Sequence, residues 1–223
     1  MLTIFGSCRV DILSGNKLNR ETTFTHCTKE VIQLIDYLEG RLQIPYPINS
    51  YCFRDSIINQ KVFLDKKSFG EVFANSSICL VEICSMKKYM IGPYYLHSLA
   101  VDKRVENYKF TPREIIDNHI ISIQSPKELE EDILQIQKMI YPRKLILVSH
   151  YNALLHGKII PSRDLLINLL QKISDKYGIF LINPNQVLKE WKQEEVMQED
   201  LGHYTDFGKQ KMFEYLELFI KFL

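Results

Sequence analysis

The chain has 223 residues, 46% of them hydrophobic, which is enough for one large α/β domain with a sizeable core. Its 28 Lys and Arg residues nearly balance its 27 Asp and Glu residues, and the net charge of +1 gives no reason to expect nucleic acid or an anionic membrane as partner. No run approaches the roughly 18 apolar residues that a membrane span requires.

The first quarter of the chain alternates apolar runs with helical patterns. The run Leu2–Phe5 predicts a strand that stops at a glycine, and the apolar residues after Cys8 predict a short helix that ends near Gly15. Residues 16–27 are polar and predict a loop. A broad apolar face then predicts a helix over 29–39, and the apolar run 51–53 predicts a second strand.

The remainder continues this alternation. Ile78–Cys84 predicts a third strand, apolar nearly throughout, as a parallel central strand should be. Residues 85–110 are aromatic and basic without a clean period, and we interpret them as an insertion that could cover a site. The other predicted helices lie at 68–75, before the third strand, and after it at 111 onward, 125–139, 162–178, 187–191 and 206–222. The other predicted strands lie at 144–149 and 179–182, and a loop is predicted at 192–202.

This order predicts a single α/β domain over residues 1–223. Strand and helix alternate, so we expect three α/β/α layers around a central, mostly parallel sheet of about five strands.

The cysteines are five in number and scattered, with no CxxC pair, so the sequence predicts neither a zinc site nor a disulfide framework. The chain begins directly with a core-type strand, and we therefore expect no signal peptide. These features are typical of a reduced, cytoplasmic protein.

Gly6-Ser7-Cys8-Arg9 follows the first predicted strand, at the carboxyl edge where open α/β folds place their chemistry. A thiol at a helix N-terminus beside Arg9 should have a lowered pKa, which favours Cys8 as a nucleophile. Ser7 is the alternative nucleophile or an oxyanion contact. The structural alternative is a small cysteine that merely packs the turn.

A base for this nucleophile is available near the other end of the chain. Asp200 precedes His203 by three residues, in a polar segment that leads into the last helix. A carboxylate at that spacing can hold one ring nitrogen while the other faces the nucleophile, as the third member of a triad does. The alternative is that both residues only decorate a polar loop.

Gly6-Ser7-Cys8 and Asp200-x-x-His203 are similar to blocks of the SGNH/GDSL hydrolase superfamily, which read Gly-Asp-Ser and Asp-x-x-His. The resemblance covers the order of the whole chain. It implies a flavodoxin-like fold and an esterase or O-acyltransferase in which Cys8 is the nucleophile, His203 the base and Asp200 the orienting carboxylate. Gly-Ser-Cys also resembles the GSCFA-type branch linked to surface polysaccharide modification, which implies an acylated or acceptor sugar as substrate.

The chain departs from this pattern after the third strand. Residues 82–88 contain no Gly-x-Asn-Asp, the block that supplies an oxyanion donor in the superfamily. Ser85, a lysine or the Cys8 backbone N–H could take that part. The missing block favours a rival hypothesis, in which the domain binds a glycan or a nucleotide without chemistry.

Three further residues are candidates for substrate binding. His150 and Asn152 follow the fourth strand, and Arg54 follows the predicted second strand, on the same sheet edge. A plain turn and a solvent-facing arginine are the alternatives. We expect no required cofactor. Acyl-CoA is a candidate co-substrate, whose phosphates Arg9, Arg54 or Lys87 could meet.

Overall fold

The computed structural model describes residues 2–11, 20–59, 66–101 and 117–223. In chain order the strands are β1 (Leu2–Gly6), β2 (Arg20–Phe24), β3 (Ile78–Ile83), β4 (Lys87–Ile91), β5 (Tyr94–Tyr95), β6 (Ile120–Ile123), β7 (Lys144–Ser149) and β8 (Phe180–Ile182). The helices are α1 (Thr28–Leu38), α2 (Asn49–Cys52), α3 (Arg54–Asn59), α4 (Lys66–Asn75), α5 (Ser98–Val101), α6 (Pro126–Ile140), α7 (Pro161–Tyr177), α8 (Pro184–Val187), α9 (Gln193–Val196) and α10 (Asp206–Lys221).

Five of the strands form one parallel sheet in the order β2-β1-β3-β7-β8. Every residue of β1 and of β3 is buried, because helices cover both faces of these central strands. Phe5 and Val81 join a core with α1, α4, α6 and α7, whereas Ile4 and Leu80 join a second core with α10 on the opposite face. The predicted three-layer α/β/α architecture with about five mostly parallel strands is confirmed.

The predicted second strand is wrong. Tyr51 and Cys52 are buried in α2, because a three-residue apolar run does not distinguish a strand from one turn of helix. The second strand is instead β2, inside the segment expected to be a loop. It does not match the apolar pattern of a buried strand because its sequence is RETTF. It lies at the end of the sheet order, and among the described residues it pairs with β1 alone.

Within the expected insertion at 85–110, β4 and β5 form a second, antiparallel sheet with the later strand β6, in the order β5-β4-β6. Residues 102–110 lie outside the described part of the chain, as do the helix start predicted at 111 and most of the short helix predicted after Cys8. The predicted short helix at 187–191 lies earlier, at α8, where Asn183 caps it through a 3.0 Å contact with the Asn185 N–H. Within the predicted loop at 192–202, residues 193–196 form α9.

None of the helices among the described residues combines the length and the hydropathy needed to cross a membrane.

Candidate active site

Gly6 allows a close approach where β1 ends. A Cβ atom at residue 6 would lie 2.5 Å from Val10 Cγ2 and 2.8 Å from Glu82 Cβ, so no larger residue fits without a shift. The buried Ser7 follows and donates its N–H (2.7 Å) and its hydroxyl (2.6 Å) to Glu82 Oε2. The hydroxyl of Ser7 is therefore engaged inside the protein, while Cys8 is exposed at the carboxyl edge of the sheet.

Arg9 connects this turn to two other parts of the chain. Its Nε donates to Glu82 Oε1 at 2.8 Å, and the ion pair is almost completely buried. One terminal nitrogen donates to the Gly202 carbonyl at 2.8 Å and the other to Cys84 Sγ at 3.0 Å. Burial alone would raise the pKa of Glu82, but the Arg9 charge and the Ser7 hydrogen bonds hold that pKa below its usual value. The carboxylate is therefore ionised at neutral pH.

Asp200 and His203 form a compact turn before α10. Asp200 Oδ1 accepts the backbone N–H groups of Gly202 (2.9 Å) and His203 (3.0 Å), and its Oδ2 lies 2.5 Å from His203 Nδ1. The His203 hydrogen bond, with the two backbone N–H groups, lowers the pKa of Asp200 to about 2. An ionised carboxylate only accepts, so Nδ1 carries the proton and Nε2 of the neutral ring is left as a base.

Two arginines hold the carbonyl groups inside that turn. Leu201 lies in the left-handed region with φ 55°, which is uncommon for a residue with a side chain. Arg163, from α7, donates to the Leu201 carbonyl at 2.9 Å, and Arg9 donates to the next carbonyl, that of Gly202.

The two turns line one cavity of about 610 Å³. The structure thus brings together Cys8, Asp200 and His203, three residues that the sequence places almost two hundred positions apart. The residues that line the cavity are Cys8, Arg9, Asp11, Gln198, Asp200, His203, Tyr204 and Lys209.

The expected lowering of the Cys8 pKa is wrong. Protein atoms around the exposed sulfur desolvate it in part, and this raises the pKa, although Arg9, Arg54 and the Cys8 backbone N–H each oppose the rise. The Glu82 carboxylate adds to it. The expected lowering assumed that Arg9 is a free positive charge, whereas Glu82 neutralises much of that charge. Near neutral pH, Cys8 is therefore mainly a thiol.

The segment after β3 has its donors engaged. The backbone N–H groups of Cys84 and Ser85 both donate to the His26 carbonyl, at 2.9 and 3.0 Å. The Ser85 hydroxyl accepts the Lys87 N–H at 2.9 Å. In this conformation neither backbone N–H is available to an oxyanion, and the candidate Ser85 serves a local turn.

His150 and Asn152, predicted as substrate contacts, are both buried. His150 Nδ1 lies 2.6 Å from the Tyr151 carbonyl. Burial, with the charges of Arg9 and Arg163, lowers the pKa of His150 to about 3, so this ring is neutral. Asn152 accepts the Ile160 N–H at 3.2 Å and donates its own N–H to Asn185. The structure therefore gives Asn152 a role in fixing the loop between β7 and α7.

Arg54 lies on the other side of the nucleophile turn. Its guanidinium stacks over the Phe24 ring at 3.9 Å, and Phe24 is the strand partner of Gly6. Its charge lowers the pKa of Cys8, and its N–H groups have no hydrogen-bond partner among the described residues.

His26, Glu30 and His97 are the group of described residues that could ligate a metal ion, since their ligand atoms lie within 4.8 Å of one another. Glu30 Oε2, however, accepts the His26 backbone N–H at 2.9 Å. The Leu99 N–H donates to His97 Nδ1 at 3.1 Å, which leaves the proton of the neutral ring on Nε2. A metal ion on His97 would have to displace the Leu99 hydrogen bond from Nδ1 or the proton from Nε2, and we assign none to the group.

Sequence reasoning missed Glu82 and Arg163. The signal for Glu82 was present, because one carboxylate interrupts a strand that is otherwise apolar and buried on both faces, where an unpaired charge is very costly. The partner of Arg163 is a backbone carbonyl, and such a contact cannot be inferred from residue types.

Comparison with known proteins assigns the family. A model described as the TviD N-terminal domain matches residues 1–115 and 99–217, most of the chain. The chain belongs to the TviD N-terminal domain family. It is 25% identical to the Vi polysaccharide biosynthesis protein TviD of Salmonella typhi, over 93% of this chain. The chain spans about 30% of the length of that relative.

Two solved structures are similar to this chain. A GDSL-like lipase from Bacteroides thetaiotaomicron has a TM-score of 0.46 and 10% identity, over 99% of this chain and 87% of that one. LAE5, an α/β hydrolase from the metagenome of Lake Arreo, Spain, has a TM-score of 0.41 and 14% identity, over 96% and 92%. The cysteine-nucleophile form of the SGNH/GDSL resemblance stays a prediction.

Proposed function

We propose that this protein is an acyl-transfer enzyme, an esterase or O-acyltransferase, with Cys8 as nucleophile, His203 as base and Asp200 as the orienting carboxylate. One observation carries the proposal: Cys8 and His203 line the same cavity, and Asp200 holds Nδ1 of the imidazole, which leaves Nε2 free. An exposed thiol and a held imidazole on one cavity are what nucleophilic catalysis requires.

The raised pKa of Cys8 determines how the first step runs. Because the sulfur is mainly protonated near neutral pH, His203 Nε2 has to remove the proton as the sulfur attacks the acyl carbonyl. The S–C bond forms, the bond to the leaving group breaks, and the imidazolium returns its proton to the leaving group. In the second step His203 activates water or an acceptor hydroxyl, which attacks the thioester and releases Cys8.

The oxyanion of the tetrahedral intermediate needs donors other than the Cys84 and Ser85 backbone N–H groups, which are engaged by the His26 carbonyl. We assign this part to the Cys8 backbone N–H and the Arg54 guanidinium. The Cys8 N–H lies close enough to the thiol to lower its pKa. The Arg54 guanidinium, which has no hydrogen-bond partner within the described part of the chain, is stacked beside the same turn. A cationic donor in a desolvated site stabilises developing negative charge strongly.

The cavity lining favours a polar substrate. Cys8, Arg9, Asp11, Gln198, Asp200, His203, Tyr204 and Lys209 all carry polar groups, and no aliphatic side chain is among them. Such walls suit a short acyl group on a hydroxyl-rich molecule better than a long acyl chain. The relative named for Vi polysaccharide biosynthesis supports a sugar as the acylated substrate or acceptor. No cofactor is required by this chemistry, and acyl-CoA is one candidate donor.

A non-catalytic glycan- or nucleotide-binding module is the second candidate. The observation that favours it is the absence of a Gly-x-Asn-Asp block after β3, together with the engaged N–H groups of Cys84 and Ser85. The polar cavity would then bind its ligand without bond formation.

An acylation experiment separates the two candidates. The protein is incubated with acetyl-CoA or with p-nitrophenyl acetate and its intact mass is measured, for wild type, Cys8→Ala and His203→Asn. His156→Asn is the matched control, because His156 is an exposed histidine outside the cavity lining. We expect one acetyl adduct in wild type and His156→Asn, and none in Cys8→Ala or His203→Asn. An adduct that persists in Cys8→Ala would exclude Cys8 as nucleophile. No adduct and no turnover in wild type would favour the binding module.

A further inference from the structure

The turn that carries His203 does not rest on Asp200 alone. Its other backbone bonds are local: the Leu201 N–H donates to the Gln198 carbonyl at 3.0 Å, and the Gln198 N–H donates to the His203 carbonyl at 2.9 Å. Leu201 holds a left-handed conformation that a side chain disfavours. The carbonyl groups of Leu201 and Gly202 are held by arginines from outside the turn.

These two arginines come from separate elements. Arg9 belongs to the nucleophile turn and reaches Gly202, so it joins the two halves of the site directly. Arg163 belongs to the first turn of α7 and reaches Leu201 at 2.9 Å. The second contact fixes the turn relative to the main body of the fold rather than to Cys8.

The position of Arg163 is unfavourable for α7 itself. A cation in the first turn of a helix opposes the helix dipole. Burial and the nearby Arg9 charge both lower the pKa of Arg163, which means that the charged form is placed at a cost. A cation placed against the helix dipole is expected to have a functional role elsewhere. The partner of Arg163 in the structure is the Leu201 carbonyl.

We propose that Arg163 is a positioning residue for His203: by holding the Leu201 carbonyl in the left-handed turn, it keeps the imidazole Nδ1–H on Asp200 and Nε2 toward the Cys8 cavity. The effect of Arg163 on the His203 turn does not depend on the reaction, whereas its effect on kcat rests on the proposed acyl transfer. Loss of the contact frees the turn, so the ring samples other orientations and the other tautomer.

The test compares three variants. Arg163→Met keeps the length and removes the donor, and Arg163→Lys keeps a cationic donor. Arg143→Met is the matched control, since Arg143 also donates to backbone carbonyls, those of Phe73 and Ile140, at the opposite edge of the sheet. The primary readout is the tautomer of His203 in protein with ¹⁵N-labelled histidine, from its two ring ¹⁵N shifts, followed by kcat and KM.

We expect one Nδ1–H tautomer for the neutral His203 ring in wild type and Arg143→Met, a mixture in Arg163→Met, and mostly Nδ1–H in Arg163→Lys. With an active acyl donor, Arg163→Met should lower kcat about 10- to 100-fold with KM changed less than about twofold, as expected when a base is misplaced. An unchanged His203 tautomer in Arg163→Met overturns the proposal, whatever happens to kcat. So does a tautomer mixture in Arg143→Met equal to that in Arg163→Met. An Arg163→Lys variant with no more of the Nδ1–H tautomer than Arg163→Met also overturns it. A mixture in Arg163→Met alone, in a protein whose wild type transfers no acyl group, supports the positioning role and rejects the proposed function.

Discussion

Arg9 and Glu82 form a buried ion pair, 2.8 Å between Nε and Oε1, at the junction of the nucleophile turn and the third strand. The same carboxylate accepts both donors of Ser7, and the same guanidinium reaches the turn that carries His203. One pair of charges thus fixes the geometry on both sides of the cavity.

Glu82→Gln should lower the free energy of unfolding at pH 7 by about 3–5 kcal/mol, because it leaves the Arg9 charge buried without its partner. The measurement is urea denaturation of wild type, Glu82→Gln, Arg9→Met and the double variant. The double variant should lose less stability than the sum of the two single changes, since neither charge is then left unpaired. Additive losses would contradict the pairing.

The same pair predicts a pH dependence. The folded-state pKa of Glu82 is lowered, so its contribution is present above the unfolded carboxyl pKa, about 4.3, and is lost as the pH falls through the folded value. Stability of wild type should therefore fall below about pH 4 more steeply than that of Glu82→Gln. This is tested by unfolding curves measured from pH 3 to pH 7 at intervals of about half a pH unit. Parallel profiles for the two proteins would refute it.

Gly6→Ala should destabilise the protein by about 1–3 kcal/mol, because the added methyl group meets Val10 Cγ2 and Glu82 Cβ. Gly70→Ala is the matched control: Gly70 lies within α4, has no atom within 4 Å of the added Cβ, and should gain up to about 1 kcal/mol from helix propensity. Chemical denaturation measures both. A harmless Gly6→Ala would mean that the turn is looser than the structure shows.

Cys8 should be the first thiol to react with iodoacetamide, since Cys27, Cys52 and Cys79 are buried and burial raises the pKa of the Cys84 thiol strongly. The alkylation rate should rise with pH up to a midpoint above the usual thiol value of about 8.5, because desolvation raises the pKa of Cys8. Arg54→Met should move the midpoint further upward, since the Arg54 charge lowers that pKa. Intact mass against time, at a series of pH values, gives the result. A midpoint below that of free cysteine would reinstate the lowered pKa that the sequence suggested.

Asp200→Asn should lower kcat by about 100- to 10,000-fold with little change in KM, because the amide can hold the imidazole in the wrong tautomer. The pKa of Asp200 is about 2, so this carboxyl stays ionised above about pH 3. An acid limb of the kcat profile at higher pH should therefore belong to another group. Both statements are tested by steady-state kinetics with the acyl donor that the acylation experiment identifies. An unchanged kcat in Asp200→Asn would exclude Asp200 as the orienting carboxylate.

Most of the sheet could be predicted from the sequence. Buried parallel strands such as Ile78–Ile83 are continuous apolar runs, and those runs identify β1, β3 and β7 without tertiary information. β2 could not be found in this way, because a strand paired on one side only tolerates RETTF. The Asp200–His203 spacing was visible because the contact is local, only three residues long.

What the sequence by itself determined is the order of strands and helices, the nucleophile turn at Gly6-Ser7-Cys8 and the carboxylate–imidazole turn, since each follows from residue types close together in the chain. The tertiary structure decided the ionisation of Cys8, the engagement of Ser7 and Ser85, and the roles of Glu82 and Arg163. These depend on charges and carbonyl groups from distant segments: Arg9 acts on Cys8 only to the extent that Glu82, seventy-three residues from Arg9, leaves its charge uncompensated. Burial and long-range pairing set these energies, and neither is a property of a residue type.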